Sequence, residues 1–352
     1  MAALLAGSWR TAPPPLELSE ADLADSLGSL WVGGAGGLAW FRLRQTALRN
    51  SAAARQLRQI YRDQIVHTVA YERWLEQLFE RMHLAGVQPI LVKGWAAARL
   101  YLETGLRSCG DIDMCVAPDC LASAKTLLAD ESLFDVDLHE GVPDLPDRSW
   151  TQLQGRSRPV SLGSAEIRIL GAEDALRHLC LHCWRHHGSR PIWLCDIAAA
   201  LESLPAAFDW EYFQSGAPLL SKWAMGFIGL AVRLLGAHLD EPIRTLATEE
   251  VSWWLADTIL WRWGAGFSPA ALSHFIRNPA QFPRAVLHRW LNPIRAAYRA
   301  RLGPTTPLAW VQLASLLVRP FQVAARVRRV FRKRQETSYP FDLHLQDESV
   351  YC

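Results

Sequence analysis

Ile90-Leu-Val-Lys-Gly-Trp-Ala-Ala-Ala-Arg-Leu-Tyr101, followed by Arg107-Ser-Cys-Gly-Asp-Ile-Asp-Met-Cys-Val116, is the stretch on which the reading of this chain turns. Residues 87–92 are apolar enough for a buried strand, and Lys93-Gly94 sits at the turn into an alanine-rich helix expected over 95–103. Unpaired amides at a helix start face an anion readily, and a glycine there permits close backbone approach. Ile112 to Val116 is apolar apart from Asp113, so it reads as a short strand. Asp111 and Asp113, two residues apart, then point to one face, where two carboxylates can share a divalent cation.

Working outward, Phe134-Asp-Val-Asp-Leu-His139 alternates polar and apolar side chains, placing Asp135, Asp137 and His139 on one face of a further strand. A third carboxylate beside Asp111 and Asp113 completes a site for two cations. Such cations clamp a triphosphate and lower the pKa of an attacking hydroxyl. Lys93 supplies positive charge for phosphate, Arg107 can reach the same group from the loop before the strand, and Gly94 and Gly110 flank it. The competing readings are plain ones: an acidic pair on a solvated loop, a polar strand edge, and a surface arginine.

At these residues the chain resembles the bacterial uncharacterised nucleotidyltransferase family of the DNA polymerase β superfamily. The likeness continues through Asp137-Leu-His139, Glu173-Asp-Ala-Leu-Arg-His-Leu-Cys-Leu-His182 and Trp193-Leu-Cys-Asp-Ile-Ala198, and covers about residues 55–205. It implies an α+β fold in which a small mixed sheet is flanked by helices, with magnesium or manganese and a nucleoside triphosphate, ATP favoured. Carried over, Asp111 and Asp113 are metal ligands, Asp137 is the third acid and Gly94 is the phosphate-approach glycine. Two departures stand out. Trp95 occupies the position where the wider superfamily usually has serine or glycine after the glycine, and sixteen residues separate Gly94 from Asp111.

Composition agrees with an enzyme-sized protein. The chain has 352 residues, half of them hydrophobic and 16 of them tryptophan, enough for a sizeable core and two ordinary domains. The start, Met1 to Arg10, lacks the early positive region of a signal peptide. Lys222 and Arg233 interrupt the most apolar segment, so no uninterrupted membrane-spanning helix is expected. Seven cysteines form no regular disulfide framework and favour a cytoplasmic setting. His178, His182 and His186 recur every four residues along one helical face; one helix supplies at most two ligands with good geometry, so structural zinc is not expected. His139 and His182 are instead assigned to the pocket of the acceptor.

The organisation expected is an N-terminal helical region over 1–85, a catalytic core over 86–170, a helical region with basic helices over 171–335, and a tail over 336–352. Ser19 opens a capped helix that the glycines between 33 and 37 interrupt. Residues 141–158, rich in Pro, Asp and Arg, read as a mobile loop able to touch an acceptor. No acid occurs between Thr258 and Gln335, against 14 Arg or Lys. Within that region, residues 321–334 mix arginines with apolar residues at helical spacing. Such a stretch suits a solvated helix, an anionic membrane surface, a nucleic-acid backbone or an acidic protein partner.

The function expected is therefore transfer of a nucleoside monophosphate from a triphosphate to an acceptor hydroxyl, releasing pyrophosphate. The acceptor class is left open by the sequence. Two other functions use the same residues differently: a noncatalytic binding protein docking through its basic C-terminal helices, and a toxin modifying RNA.

Overall fold

The computed structural model describes residues 1–129, 134–265, 292–314 and 316–317; the basic stretch 321–334 and the tail 336–352 lie outside the described residues. At the centre is a mixed sheet of β1 (Ile90–Val92), β2 (Ile112–Val116), β3 (Val136–Glu140), β4 (Arg158–Leu162) and β5 (Ala165–Ile169), in the order β3-β2-β1-β5-β4. β1 pairs antiparallel with β2 and parallel with β5, β2 is parallel to β3, and β4 and β5 form an antiparallel hairpin. β1 starts only at Ile90, consistent with Pro89 having no N–H to donate to a ladder.

Four helices precede the sheet: α1 (Ala2–Leu5), α2 (Glu20–Val32), α3 (Gly36–Leu43) and α4 (Ala52–Leu84). α5 (Gly94–Ala98), α6 (Leu121–Leu128) and α7 (Trp150–Arg156) lie between strands. After the sheet come α8 (Ala172–Arg185), α9 (Pro191–Leu201), α10 (Trp210–Gln214), α11 (Pro218–Leu235), α12 (Ile243–Glu249), α13 (Trp253–Ala265) and α14 (Pro293–Ala300). The Ser19 hydroxyl accepts from the Asp22 amide and so caps α2 as its sequence predicts. Ser51 does the same for α4, whose 33 residues span roughly 50 Å.

Strand alternation divides the core in two. Leu91, Ile112, Met114, Val116, Ile167 and Ile169 face the second half of α4, where Tyr71, Trp74, Leu75, Leu78, Phe79 and Met82 are buried. The opposite side chains, Ile90, Val92 and Cys115, belong to a larger core with α1, α3, α8, α9 and α11. Each fully buried Leu or Ile contributes about 1.5–3 kcal/mol, so both faces are strongly specified and a one-residue slip is disfavoured. The N-terminal helices thus share one core with the helices after the sheet, and α4 runs from one core to the other.

Three expectations are corrected. The helix expected over 95–103 stops at Ala98; the chain tightens into a turn that brings Glu103 onto Arg44, at 2.8 Å, and Tyr61, at 3.0 Å. Residues 141–158 are not a free loop. Ser149 and Gln152 form a capping box for α7, while Asp147 accepts from Arg177 at 2.7 Å and Arg148 donates to the Tyr212 carbonyl at 2.7 Å. The Asp and Arg that looked like solvated polarity are tertiary ties. Finally, α11 has 18 residues with a mean hydropathy of 1.3, long and apolar enough by length and composition to cross a membrane despite Lys222 and Arg233; 56% of it is buried inside the protein. It packs on α8, α9 and α12, the environment of a core helix.

Candidate active site

One face of the sheet edge carries the acids. β2 and β3 are parallel with Asp113 opposite Asp137 and Cys115 opposite His139, so pairing alone brings these side chains together. Val136 and Leu138 pack toward the α4 side, which leaves Asp137 and His139 on the other. Asp113 is buried at 2% exposure, Asp137 opens to solvent, and His139 lies between them. The ligand atoms of Asp113, Asp137 and His139 all lie within 4.8 Å of one another, a grouping able to hold a metal ion. Asp111 is outside this group; it stands just before β2, exposed at the cavity mouth. His139 therefore stands with the acids, where the sequence reading had set it on the acceptor side.

The electrostatics follow from that packing. The His139 Nε2 lies 3.1 Å from Asp137 Oδ2 and 3.6 Å from Asp113 Oδ1, and the adjacent Asp113 carboxylate, with Asp137 behind it, raises the imidazole pKa against the opposing effect of burial. Burial alone would raise the Asp113 carboxyl; the neighbouring His139 imidazole and the Lys93 ammonium outweigh it and hold it below the usual range. Lys93 Nζ is 2.5 Å from Asp113 Oδ1, an oxygen that has no partner in hydrogen-bond alignment. Loss of solvation, then the charge of Asp113, pushes Asp111 upward against the pull of Lys93 and Arg190.

Lys93 reaches this position from a costly backbone. Its φ of 52° and ψ of −144° lie where glycine is usual, and Gly94 follows with φ 38° as α5 begins. A conformation of this kind costs about 1–3 kcal/mol and persists only when its surroundings enforce it. Trp95 is turned away: it is buried in the α4-side core with its indole N–H donating to Glu72 at 2.8 Å. The tryptophan after Gly94 thus takes no space from the acids.

The acids open into a cavity of about 1440 Å³ shared with Lys93, Gly94, Arg107 and Gly110. Arg107 lines it but is buried at 7% exposure; its guanidinium donates to Asp196 at 3.0 and 3.4 Å and to the Ser108 carbonyl at 2.7 Å. Asp196 also accepts from the Tyr101 hydroxyl at 2.8 Å. In this structure the arginine is a strut between the sheet and α9. A Cβ at Gly110 would meet nothing within 4 Å, so no neighbour demands glycine there.

The far wall comes from α8 and α9. His182 Nδ1 lies 3.1 Å from Asp144 Oδ2, Arg185 holds the other Asp144 oxygen at 3.0 Å, and Trp193 packs edge-on to His182 at 4.9 Å. The helical spacing of the histidines foretold this face. Asp144, Arg185, Arg190 and Trp193 escaped the sequence reading, because only tertiary packing sets them against the sheet. Burial pushes His182 down to about 3 and His178 down to about 4.

These shifts carry a sign that can be measured. Both imidazoles are neutral in the folded protein at pH 5, whereas the unfolded chain protonates them below about 6.5. Acidification therefore favours unfolding by up to about 1.4 kcal/mol per pH unit for each buried imidazole, between about 6.5 and the folded values. The melting temperature is expected to fall from pH 7.5 to pH 5, and His178→Gln is expected to flatten that dependence; an equal or higher melting temperature at pH 5 contradicts the assignment.

A sequence profile described as "Uncharacterised nucleotidyltransferase" matches residues 33–222, more than half of the chain. The chain belongs to this nucleotidyltransferase family. Among solved structures, an antigenic nucleotidyltransferase-like protein from Paracoccidioides brasiliensis aligns with 12% identity and a TM-score of 0.36, over 51% of this chain and 91% of that one, a likeness too low to support further inference. No curated protein matches the chain. The matched span runs from α3 through the sheet into α11, and so includes Lys93, Asp113, Asp137, His139 and the α8–α9 wall.

Proposed function

We propose that the protein transfers a nucleoside monophosphate from a nucleoside triphosphate to an acceptor hydroxyl, releasing pyrophosphate, with a divalent cation held by Asp113, Asp137 and His139. The observation that carries this reading is the convergence of three ligand atoms within 4.8 Å beside a buried carboxylate oxygen that lacks an aligned hydrogen-bond partner. A ring of two carboxylates and an imidazole suits manganese better than magnesium, which prefers oxygen alone. When bound, the ion neutralises phosphate charge and polarises the reacting phosphoryl group.

The chain's own residues set the rest. Asp113, fixed in the middle of β2, is the rigid anchor, and Asp137 is the solvent-facing carboxylate through which a ligand is reached. His139 holds a proton between them and releases it when the site fills. Asp111, at the mouth, is placed to face a second cation or the acceptor. Lys93 and Gly94 present a positive charge and an accessible backbone to the phosphates. Catalysis then rests on positioning and charge neutralisation.

Incubating the purified protein with each nucleoside triphosphate labelled at the α-phosphate, manganese or magnesium, and cell extract tests this. Label is expected to move to an acceptor only with metal present, ATP serving best. Absence of both metal-dependent nucleotide binding and label transfer overturns the reading.

A further inference from the structure

Three arginines stand on the wall of the large cavity: Arg107, Arg185 and Arg190. Two are committed, Arg107 to Asp196 and Arg185 to Asp144, each at 3.0 Å. Lys93 is committed as well, to Asp113. Among the described residues Arg190 has no carboxylate within 4 Å; its guanidinium lies 5.7 Å from the centre of the Trp193 ring. It is the cavity arginine whose donors remain available to a ligand.

Its position is built rather than incidental. Arg190 is the residue before α9, in extended conformation (φ −101°, ψ 123°), with Pro191 fixing the first helical position. The turn behind it is clamped between α8 and α13: Gly188 has φ 60°, a Cβ there would come within 1.9 Å of Ile259, and its carbonyl accepts from the Trp263 indole at 3.0 Å. Ser189, buried at 8% exposure, lines the cavity beside it, as do Ile192 and Trp193 in the first turn of α9. The positive end of an 11-residue helix therefore faces the same space as the free guanidinium. Across the mouth stands Asp111, whose charge acts on Arg190.

We propose that Arg190 is the residue that grips the β- and γ-phosphates of the triphosphate, and then the departing pyrophosphate, while the α-phosphate lies against Asp113, Asp137 and His139. This rests on the nucleotidyl-transfer reading above. A triphosphate brought to those acids needs positive charge beyond Lys93, and Trp95, turned into the core, offers it no hydroxyl. A guanidinium fork matches paired phosphate oxygens, and the adjoining helix start adds backbone polarity of the same sign.

The test is calorimetric titration of the full-length protein, with Mn²⁺ present, by ATP, inorganic tripolyphosphate and AMP. Arg190→Ala is expected to weaken ATP and tripolyphosphate binding roughly 10- to 100-fold and to change AMP binding less than about twofold. Arg190→Lys restores part of the loss, because the charge returns without the fork, and serves as the reading if the alanine variant does not fold. Wild-type-like affinity for tripolyphosphate in either variant, with wild type binding it, overturns the role of Arg190 and leaves the transfer reading intact. An equal loss for AMP moves the arginine off the β- and γ-phosphates and overturns the assignment. No binding of any phosphate by wild type overturns both.

Discussion

Asp113→Asn is expected to abolish manganese binding and to lower nucleotidyl transfer roughly 1000-fold, with little change in shape. The substitution is nearly isosteric, and a side chain at 2% exposure in the middle of β2 has no room for another geometry. What changes is charge. Lys93 loses its counterion, and His139 loses the neighbouring negative charge that holds its pKa up, so its NMR titration moves down. That movement separates loss of the site from loss of the fold. Asp119→Asn, exposed beyond the same strand and off the cavity, is the matched control. Transfer at wild-type rates in the Asp113 variant would remove β2 from the chemistry.

The largest effect on stability is expected from Asp196→Ala. Asp196 is fully buried and holds the Arg107 guanidinium and the Tyr101 hydroxyl together, tying the loop before β2 to α9. Removing it strands a buried guanidinium, at a cost of about 3–5 kcal/mol. The melting temperature should drop by roughly 10 °C. Because the pair itself is offset by the desolvation of both charges, Arg107→Met with Asp196→Leu should recover most of the loss. A drop below about 1 kcal/mol in chemical denaturation for the single variant would show that the guanidinium finds water or another partner. It also bears on the phosphate site: a strut cannot serve as a triphosphate ligand without giving up its structural role.

How much of this was legible in the sequence varies with the range of the interactions. Alternation in Ile112 to Val116 and in Phe134 to His139 placed the acids on common faces, because the two-residue period is local. Which acids meet was not local. Asp113 and Asp137 are brought together by strand register, with His139 joining them and Asp111 left at the mouth. The same limit hid the place of Asp144 on the α8–α9 wall, since nothing near it in sequence announces that His182 and Arg185 will hold it. Polar composition misled over residues 141–158, although the Ser149 and Gln152 spacing already spelled a helix start. Trp95 stood out as a departure because sequence shows a residue's size and not its direction.

The ion pair between Lys93 and Asp113 has a consequence for how the protein comes into being. Many small metal-binding domains fold only once their ion arrives, since the ion itself gathers ligands that are not preassembled in the unfolded chain. Here an ammonium delivered by a strained turn already sits against the deepest carboxylate. The chain carries its own resident cation, so its architecture can assemble without a metal, and on the metal-dependent reading proposed above, loading the site would exchange one positive charge for another against Asp113.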